Sequence, residues 1–396
     1  MLVMAVAGLW LLVRRGRQFL TLGVFRVFTI VFLLAWVPIL ISLIDAVNPE
    51  RTLVVAVNHL RFFFAGIFML HALGDGLAQK RFLTLSAWLL GFWVVDALVQ
   101  SAIGVDLVGR APSTTGLSGI FGFDGKHFAT FLAIFSPLLF EHARRCWPVW
   151  VQVLTFAATT FVIISAGSRA AWVALVCVIA AYAILFWARR RRFPWKPVAL
   201  CLVLGVAIGT LGYQVSRPFQ LRVDQTFTEM KRPFQTGSLG HRAWIWRGGW
   251  NMFRAHPVNG VGARGFRYAY AEYADANDPY LAGDPPILPT HSHQMLLEVA
   301  TETGLMGLAG LFALIGVLVH AGWRASAKAQ RTMLPFALAL VAAYFPLNTH
   351  WAIYGAHLSQ VLWFMIALYL AARAAGTAAA CSPHYLSTHG RGRVST

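Results

Sequence analysis

Three basic side chains lie where apolar segments of the chain meet polar ones. Arg169 stands in a short break between two apolar runs, Arg242 opens a Trp-rich polar segment, and His293 directly precedes another apolar run. An arginine guanidinium binds phosphate through two parallel hydrogen bonds, and histidine takes up a proton near neutral pH more readily than other side chains. These residue types suit the binding of an anionic group and general base catalysis.

Each arginine also has a purely structural explanation. Arg169 could anchor a helix end at the membrane boundary. Its position at a helix start, where backbone N–H groups already favour an anion, supports the ligand interpretation instead. Arg242 could be one solvated arginine among many, because seven other arginines occupy the same polar segment.

The histidine and its neighbours leave similar alternatives. His293 could act as a base or cap the helix that follows, and a zinc site with His291 would need further ligands that the sequence does not supply at a suitable spacing. His291 and Glu298 are candidates for orienting His293, as is Glu302, although both glutamates could instead pack or pair inside the helix. The polar segments hold no Asp-x-Asp carboxylate pair, so we expect neither a metal nor a cofactor.

Composition places these residues in a membrane protein. Of 396 residues, 58% are hydrophobic and 12% are charged, against about 25% charged in soluble proteins. These values exclude a cytosolic enzyme, a disordered chain and a coiled coil. The 33 Lys and Arg against 15 Asp and Glu give a net charge of +18. Because the basic residues are scattered between apolar runs, we expect membrane lipid as a partner and no nucleic acid.

Eleven apolar runs are candidates for spanning helices, since a span needs about 20 mostly apolar residues. The sequence therefore predicts an all-α polytopic membrane protein with about 11–12 transmembrane helices. N-terminal transmembrane helices occupy 1–216, a large polar loop 217–294, C-terminal transmembrane helices 295–373 and a tail 374–396. The runs are 2–13, 22–45, 52–73, 82–103, 127–141, 148–166, 169–187, 197–216, 295–320, 332–348 and 351–372.

Basic residues follow every second run, which predicts that these loops and the tail are cytoplasmic. The remaining loops, including 217–294, then face the opposite side of the membrane. Within that large loop, Ala243, Trp246, Trp250 and Phe253 recur at helical spacing, which predicts a short amphipathic helix over 241–254.

The order of these motifs resembles the O-antigen ligase family. His293-Gln294, nine residues, Gly304, two residues and Gly307 match the spacing of the family's histidine signature. Segment 166–171 is similar to the family's first arginine motif, with Val173 where leucine is usual. Segments 240–246 and 257–262 look like the family's second arginine segment and the loop after it. The motif-level resemblance covers about 160–310.

The resemblance implies a GT-C-like membrane glycosyltransferase in which Arg169, Arg242 and His293 are essential. Both arginines would bind the diphosphate of an undecaprenyl-diphosphate-linked O-antigen donor, and the histidine would activate the acceptor hydroxyl. The implied reaction is a metal-independent, inverting transfer to lipid A-core at the periplasmic face of the bacterial inner membrane.

Other functions are compatible with the same features. An O-antigen polymerase or a protein O-oligosaccharyltransferase would use the same donor with another acceptor. A transporter of a lipid-linked anion would tend to show related halves, and none is evident in the sequence. A non-catalytic scaffold of an envelope complex would not depend on His293.

Overall fold

The computed structural model describes residues 1–21, 23–113, 116–122, 125–190, 195–215, 217–231, 237–345 and 352–378. Over these ranges the secondary structure consists of α-helices and two short 3-10 helices, Gly119–Phe121 and Pro279–Leu281, without a named strand.

The part of the chain before the large polar loop forms eight helices within the described ranges. They are α1 (Leu2–Thr21), α2 (Gly23–Ile41), α3 (Pro49–Ala72), α4 (Gly76–Ile103), α5 (Gly125–Cys146), α6 (Val149–Ser165), α7 (Arg169–Arg190) and α8 (Trp195–Val215).

The polar loop and the C-terminal part supply the remaining described helices. The loop holds α9 (Arg217–Lys231), α10 (Gly237–Ala255) and α11 (Phe266–Tyr273), and the C-terminal part holds α12 (Met295–Trp323), α13 (Ala327–Ala343) and α14 (Ala356–Ala378). The predicted tail starts inside α14, and its residues from 379 onward lie outside the described ranges.

Membrane-spanning capacity follows from helix length and composition. Among the described residues, α2, α3, α4, α12 and large parts of α7 and α14 are six segments long and apolar enough to cross a membrane. This confirms the predicted all-α polytopic architecture. Where they are described, the other predicted spans also lie largely on helices, and residues 216 and 346–348 of those spans lie outside the described ranges. Helices α6 and α13 have only 17 residues each, and α1 and α5 carry several charged residues.

The core of the bundle is built around α14. In its apolar segment, 78% of the residues are buried, the largest share among the six candidate spans in the described part of the chain. Its Tyr369 hydroxyl donates to the carbonyl of Leu318 in α12 at 2.9 Å. On α13, Ala329 packs so closely on Gly376 that no larger residue would fit there.

Helix α12 is broken one-third of the way along its length. Gly304 has φ 64° and ψ −159°, a conformation essentially restricted to glycine. A Cβ atom at this position would collide with the backbone carbonyl of Val258. The break therefore requires glycine both for its backbone angles and for the close approach of another segment.

That segment is residues 257–264, which we call the docking loop. It bonds to the backbone groups of α12 that the break leaves without partners inside the helix. Non-helical backbone at membrane depth is tolerated where protein satisfies its polar groups, and the docking loop meets this requirement. The three bonds run from Leu305 N to Pro257 O (2.8 Å), from Met306 N to Val258 O (3.1 Å) and from Val261 N to Thr301 O (2.9 Å).

The opposite side of the docking loop is held by α2, α3 and the turn between them. Val47 N donates to Val261 O at 3.0 Å. The backbone N–H of Ala263 donates to the hydroxyl of Ser42, and its carbonyl accepts from the hydroxyl of Thr52, both at 3.3 Å. The polar loop is thus anchored inside the bundle, directly beside the first turns of α12.

The amphipathic helix predicted over 241–254 is present as α10, but its buried face differs from the predicted one. Ile245 and Met252 are buried, whereas Trp250 is 53% exposed. Gly248 and Gly249 lie on the buried face, where Tyr270 of α11 and Leu297 of α12 pack against them. The aromatic spacing therefore predicted the wrong buried face. Helix α10 packs through two glycines, whose lack of a side chain leaves room for the neighbouring residues.

Candidate functional site

Arg169 is the first residue of α7, and a tight turn places it there. Helix α6 ends at Ser165, Gly167 adopts a positive φ of 74°, and the buried Ser168 accepts from the N–H of Ala171 at 3.4 Å. The half-buried Arg169 extends toward the polar loop, where its Nη1 donates to the hydroxyl of Thr226 in α9 at 3.4 Å. The turn thus links a candidate anion ligand to the polar loop.

The start of α5 and the segment before it support this turn from the other side. Leu117 N donates to Ser165 O at 3.2 Å. The hydroxyl groups of Thr130 and Ser168 lie 3.5 Å apart. The turn that carries Arg169 is therefore held by groups from two separate segments.

Arg242 is half-buried in the second turn of α10. It lies close enough to Tyr280 to influence that hydroxyl. Burial and the nearby Asp278 carboxylate raise the pKa of Tyr280, and the Arg242 guanidinium opposes them. The adjacent His241 ring meets the Tyr280 ring edge-on at 6.0 Å. Arg242 thus borders an aromatic surface formed by the polar loop.

His293 lies in a tightly constrained turn before α12. Its φ is +53°, in the left-handed region that few non-glycine residues adopt, although histidine is among those that do so more often. Gln294 caps α12 by accepting from Leu297 N, and the Ser292 hydroxyl donates to the Gln294 carbonyl at 2.8 Å. The ring centroids of His293 and His291 are 3.9 Å apart. The two histidines therefore form one contact pair at the helix start.

A hydrogen bond joins the elements that carry Arg242 and His293. The indole N–H of Trp246 donates to the carbonyl of Ser292 at 3.0 Å. Trp246 lies one helical turn after Arg242 on the same side of α10, and Ser292 precedes His293. The bond therefore holds the arginine's helix against the histidine's turn.

Arg169 joins the same set of elements through α9. That helix bonds to Arg169 through Thr226 and packs against α10. The structure thus connects the elements that carry the three side chains through α7, α9, α10 and the turn before α12. Convergence of the three side chains on one cavity stays a prediction.

Glu298 and Glu302 are fully buried, and their hydrogen bonds lead away from the histidine turn. Glu298 Oε1 accepts from Tyr354 N at 3.4 Å, and Glu302 Oε2 accepts from Arg264 N at 2.6 Å. Glu302 therefore fixes the end of the docking loop, where Arg264 has a positive φ of 63°. An orienting effect of Glu298 or His291 on His293 stays a prediction.

Sequence reasoning did not identify the residues that assemble this site. Trp246 and Thr226 make the bonds that connect its elements, but a tryptophan and a threonine in a polar loop carry no distinctive signal. Gly304 did carry one, because a glycine inside a long apolar run often marks a break or a close approach. Among the described residues, no three His, Cys, Asp or Glu side chains group as metal ligands, and metal independence stays a prediction.

Comparison with known proteins gives a family for the central part of the chain. Residues 154–312 match the O-antigen ligase family, and no curated protein matches the chain. The match includes Arg169, Arg242, His293 and the broken part of α12. The family supports a function of the ligase or polymerase type, in glycosyltransferase-like membrane proteins. Residues 154–312 therefore form a region similar to the O-antigen ligase family.

Proposed function

We propose that this protein is an O-antigen ligase, a glycosyltransferase that moves O-antigen polysaccharide from undecaprenyl diphosphate to lipid A-core at the periplasmic face of the inner membrane. The observation that carries the proposal is the Trp246–Ser292 hydrogen bond inside the matched domain. It holds an arginine-bearing helix against a histidine-bearing turn, as transfer from an anionic donor requires.

The proposed chemistry is a direct displacement. The acceptor hydroxyl oxygen forms a bond to C1 of the donor glycan, and the bond from C1 to the diphosphate oxygen breaks. His293 takes the hydroxyl proton as general base. The electron pair leaves with undecaprenyl diphosphate, whose charge Arg169 and Arg242 stabilise. Attack opposite the leaving group inverts the configuration at C1.

The lipopolysaccharide pattern of a deletion strain tests the acceptor. A strain lacking a ligase should make O-antigen polymer but leave lipid A-core bare, and the unchanged gene should restore the normal ladder. Core capped by a single repeat would identify a polymerase instead. An unchanged ladder with loss of glycan from proteins would identify a protein O-oligosaccharyltransferase.

The proposed periplasmic location of the polar loop predicts a labelling pattern. Ile287 is 83% exposed in that loop, and Cys146 is exposed at the end of α5. In a chain whose remaining cysteines are alanine, a cysteine at 287 should react with an impermeant thiol reagent in intact spheroplasts. Cys146 should react only after lysis. The reverse pattern would refute the proposed orientation.

The anion-binding role of Arg169 predicts that charge alone does not suffice there. Arg169→Lys should lower transfer by about a hundredfold, nearly as much as Arg169→Ala, because lysine lacks the planar fork that binds phosphate through two hydrogen bonds. Transfer kinetics with purified protein and lipid-linked donor measure the effect. Arg254→Lys, at the exposed end of α10, is the matched control and should keep normal turnover. Full activity of Arg169→Lys would contradict the role.

A further inference from the structure

A cavity lies toward the opposite end of α6 from Arg169. It has a volume of about 280 Å³ and opens between α5, α6, α7 and α8. Its walls are mostly apolar, with Phe140, Val153, Phe156 and Ile179 among them. Its lining residues nearest the Arg169 turn, Phe156 in α6 and Val178 in α7, are each nine residues from that turn, about 14 Å along the helices. The cavity is therefore distinct from the candidate functional site.

A buried carboxylate organises the polar end of this cavity. Glu141 is fully buried and accepts from Arg144 Nε and Nη2 at 2.8 and 2.7 Å. It also accepts from Arg145 Nε and Nη2 at 3.2 and 3.1 Å, and from the Tyr182 hydroxyl at 3.1 Å. Two guanidinium groups thus share one carboxylate, and the cluster keeps a net charge of +1.

Arg144 presents that excess charge at the cavity. Its side chain is 55% exposed and lines the cavity together with Gln152. Within the described part of the chain, Nε and Nη2 bind Glu141, whereas Nη1 donates to no residue. Glu141 therefore holds the guanidinium in place while one edge stays open for an anionic oxygen.

The surroundings resemble a membrane–water boundary. Trp147 lies beside the cluster and contacts Trp88 of α4 with ring centroids 6.0 Å apart, and tryptophan is enriched at headgroup level. Arg144 and Arg145 lie in the last turn of α5, at an end that the charge pattern predicts to be cytoplasmic. The cavity is apolar and lies next to a fixed cation at this level. It therefore suits a single molecule that carries both a hydrocarbon chain and a phosphate group.

We infer that this cavity binds an anionic phospholipid of the cytoplasmic leaflet. One acyl chain fills the apolar space between α5 and α8, and the phosphate accepts hydrogen bonds from Arg144. A zwitterionic lipid could place its chain in the same space, but its headgroup would add a positive charge beside the arginine cluster. Basic pockets between helices on the cytoplasmic side are suited to anionic headgroups for this reason. The inference does not depend on the transfer reaction.

Lipid binding to the purified full-length protein tests the inference. We expect palmitoyl-oleoyl phosphatidylglycerol to bind at least about tenfold more tightly than phosphatidylcholine with the same chains, the scale of one charge-assisted hydrogen bond. Arg144→Gln should abolish this preference. Arg324→Gln, an exposed arginine after α12 on the same predicted side, is the matched control and should retain it.

A second variant tests the cavity separately from the charge. Val153→Trp should fill the apolar space, keep every charged group, and weaken the binding of both lipids by about tenfold or more. Thermal unfolding of both variants shows whether they are folded. Equal affinity for the two lipids, or a preserved preference in Arg144→Gln, would overturn the inference. Unchanged lipid binding by Val153→Trp, or binding of glycerol phosphate as tight as that of the lipid, would overturn it as well.

Discussion

Replacing His293 by alanine should lower glycan-transfer turnover by more than about a hundredfold, the usual contribution of a general base. Donor affinity should change little, because the diphosphate is assigned to Arg169 and Arg242. Single-turnover kinetics with purified protein, lipid-linked donor and core acceptor separate the two quantities. The effect is expected to be large because His293 occupies a positive-φ position in a turn fixed by the Gln294 cap.

The control for this variant lies on the same helix. His320 is exposed in the last turn of α12, and His320→Ala should transfer glycan at the normal rate. A His293→Ala protein that retains near-normal turnover would refute the proposed base. A protein that loses donor binding together with turnover would instead place His293 in donor recognition.

Replacing Gly304 by alanine should destabilise the protein and abolish most transfer. The backbone conformation at Gly304 costs about 1–3 kcal/mol for a residue with a side chain, and the added Cβ would collide with the carbonyl of Val258. Relief of that collision requires the docking loop to move away from α12. Thermal unfolding in detergent should therefore show a lower midpoint, and transfer assays should show a loss even in the folded fraction.

Gly316 offers a matched comparison twelve positions further along α12. A Cβ at Gly316 would meet no neighbouring atom within 4 Å, and the residue lies in the regular part of the helix. Gly316→Ala should leave transfer unchanged and should not lower the unfolding midpoint, because alanine is more favourable than glycine inside a helix. Equal behaviour of the two variants would contradict the structural role assigned to the break at Gly304.

Much of the helical framework could be predicted from the sequence, because local signals determine it. Long apolar runs bounded by basic residues correspond to single helices throughout the described chain. The end of α10 was predicted to within one residue, because His256-Pro257 ends the pattern, whereas the helix begins at Gly237, four residues before the predicted start. These features depend on residues close together in the chain, where hydrophobic periodicity and helix-ending residues act directly.

The packing of the candidate site could not be predicted in the same way. The hydrogen bond from Trp246 to Ser292 joins positions 46 residues apart, and that from Arg264 to Glu302 joins positions 38 apart. Neither residue pair has a local pattern that indicates its partner. The buried face of α10 was predicted wrongly for a related reason. Gly248 and Gly249 leave space on the helix, and the residues that pack into it, Tyr270 and Leu297, are distant in the sequence.

The docking loop also has a consequence for how the chain is made. During synthesis, α2 and α3 enter the membrane first, the polar loop follows, and α12 emerges last of these elements. Before the loop returns, the N–H groups of Leu305 and Met306 have no partner outside their own helix, and unbonded groups in lipid cost several kcal/mol each. We therefore expect α12 to insert as an unbroken helix and to bend at Gly304 only when the polar loop folds back onto it. Completion of the site is then a late step of biogenesis, after the polar loop has reached its proposed periplasmic side.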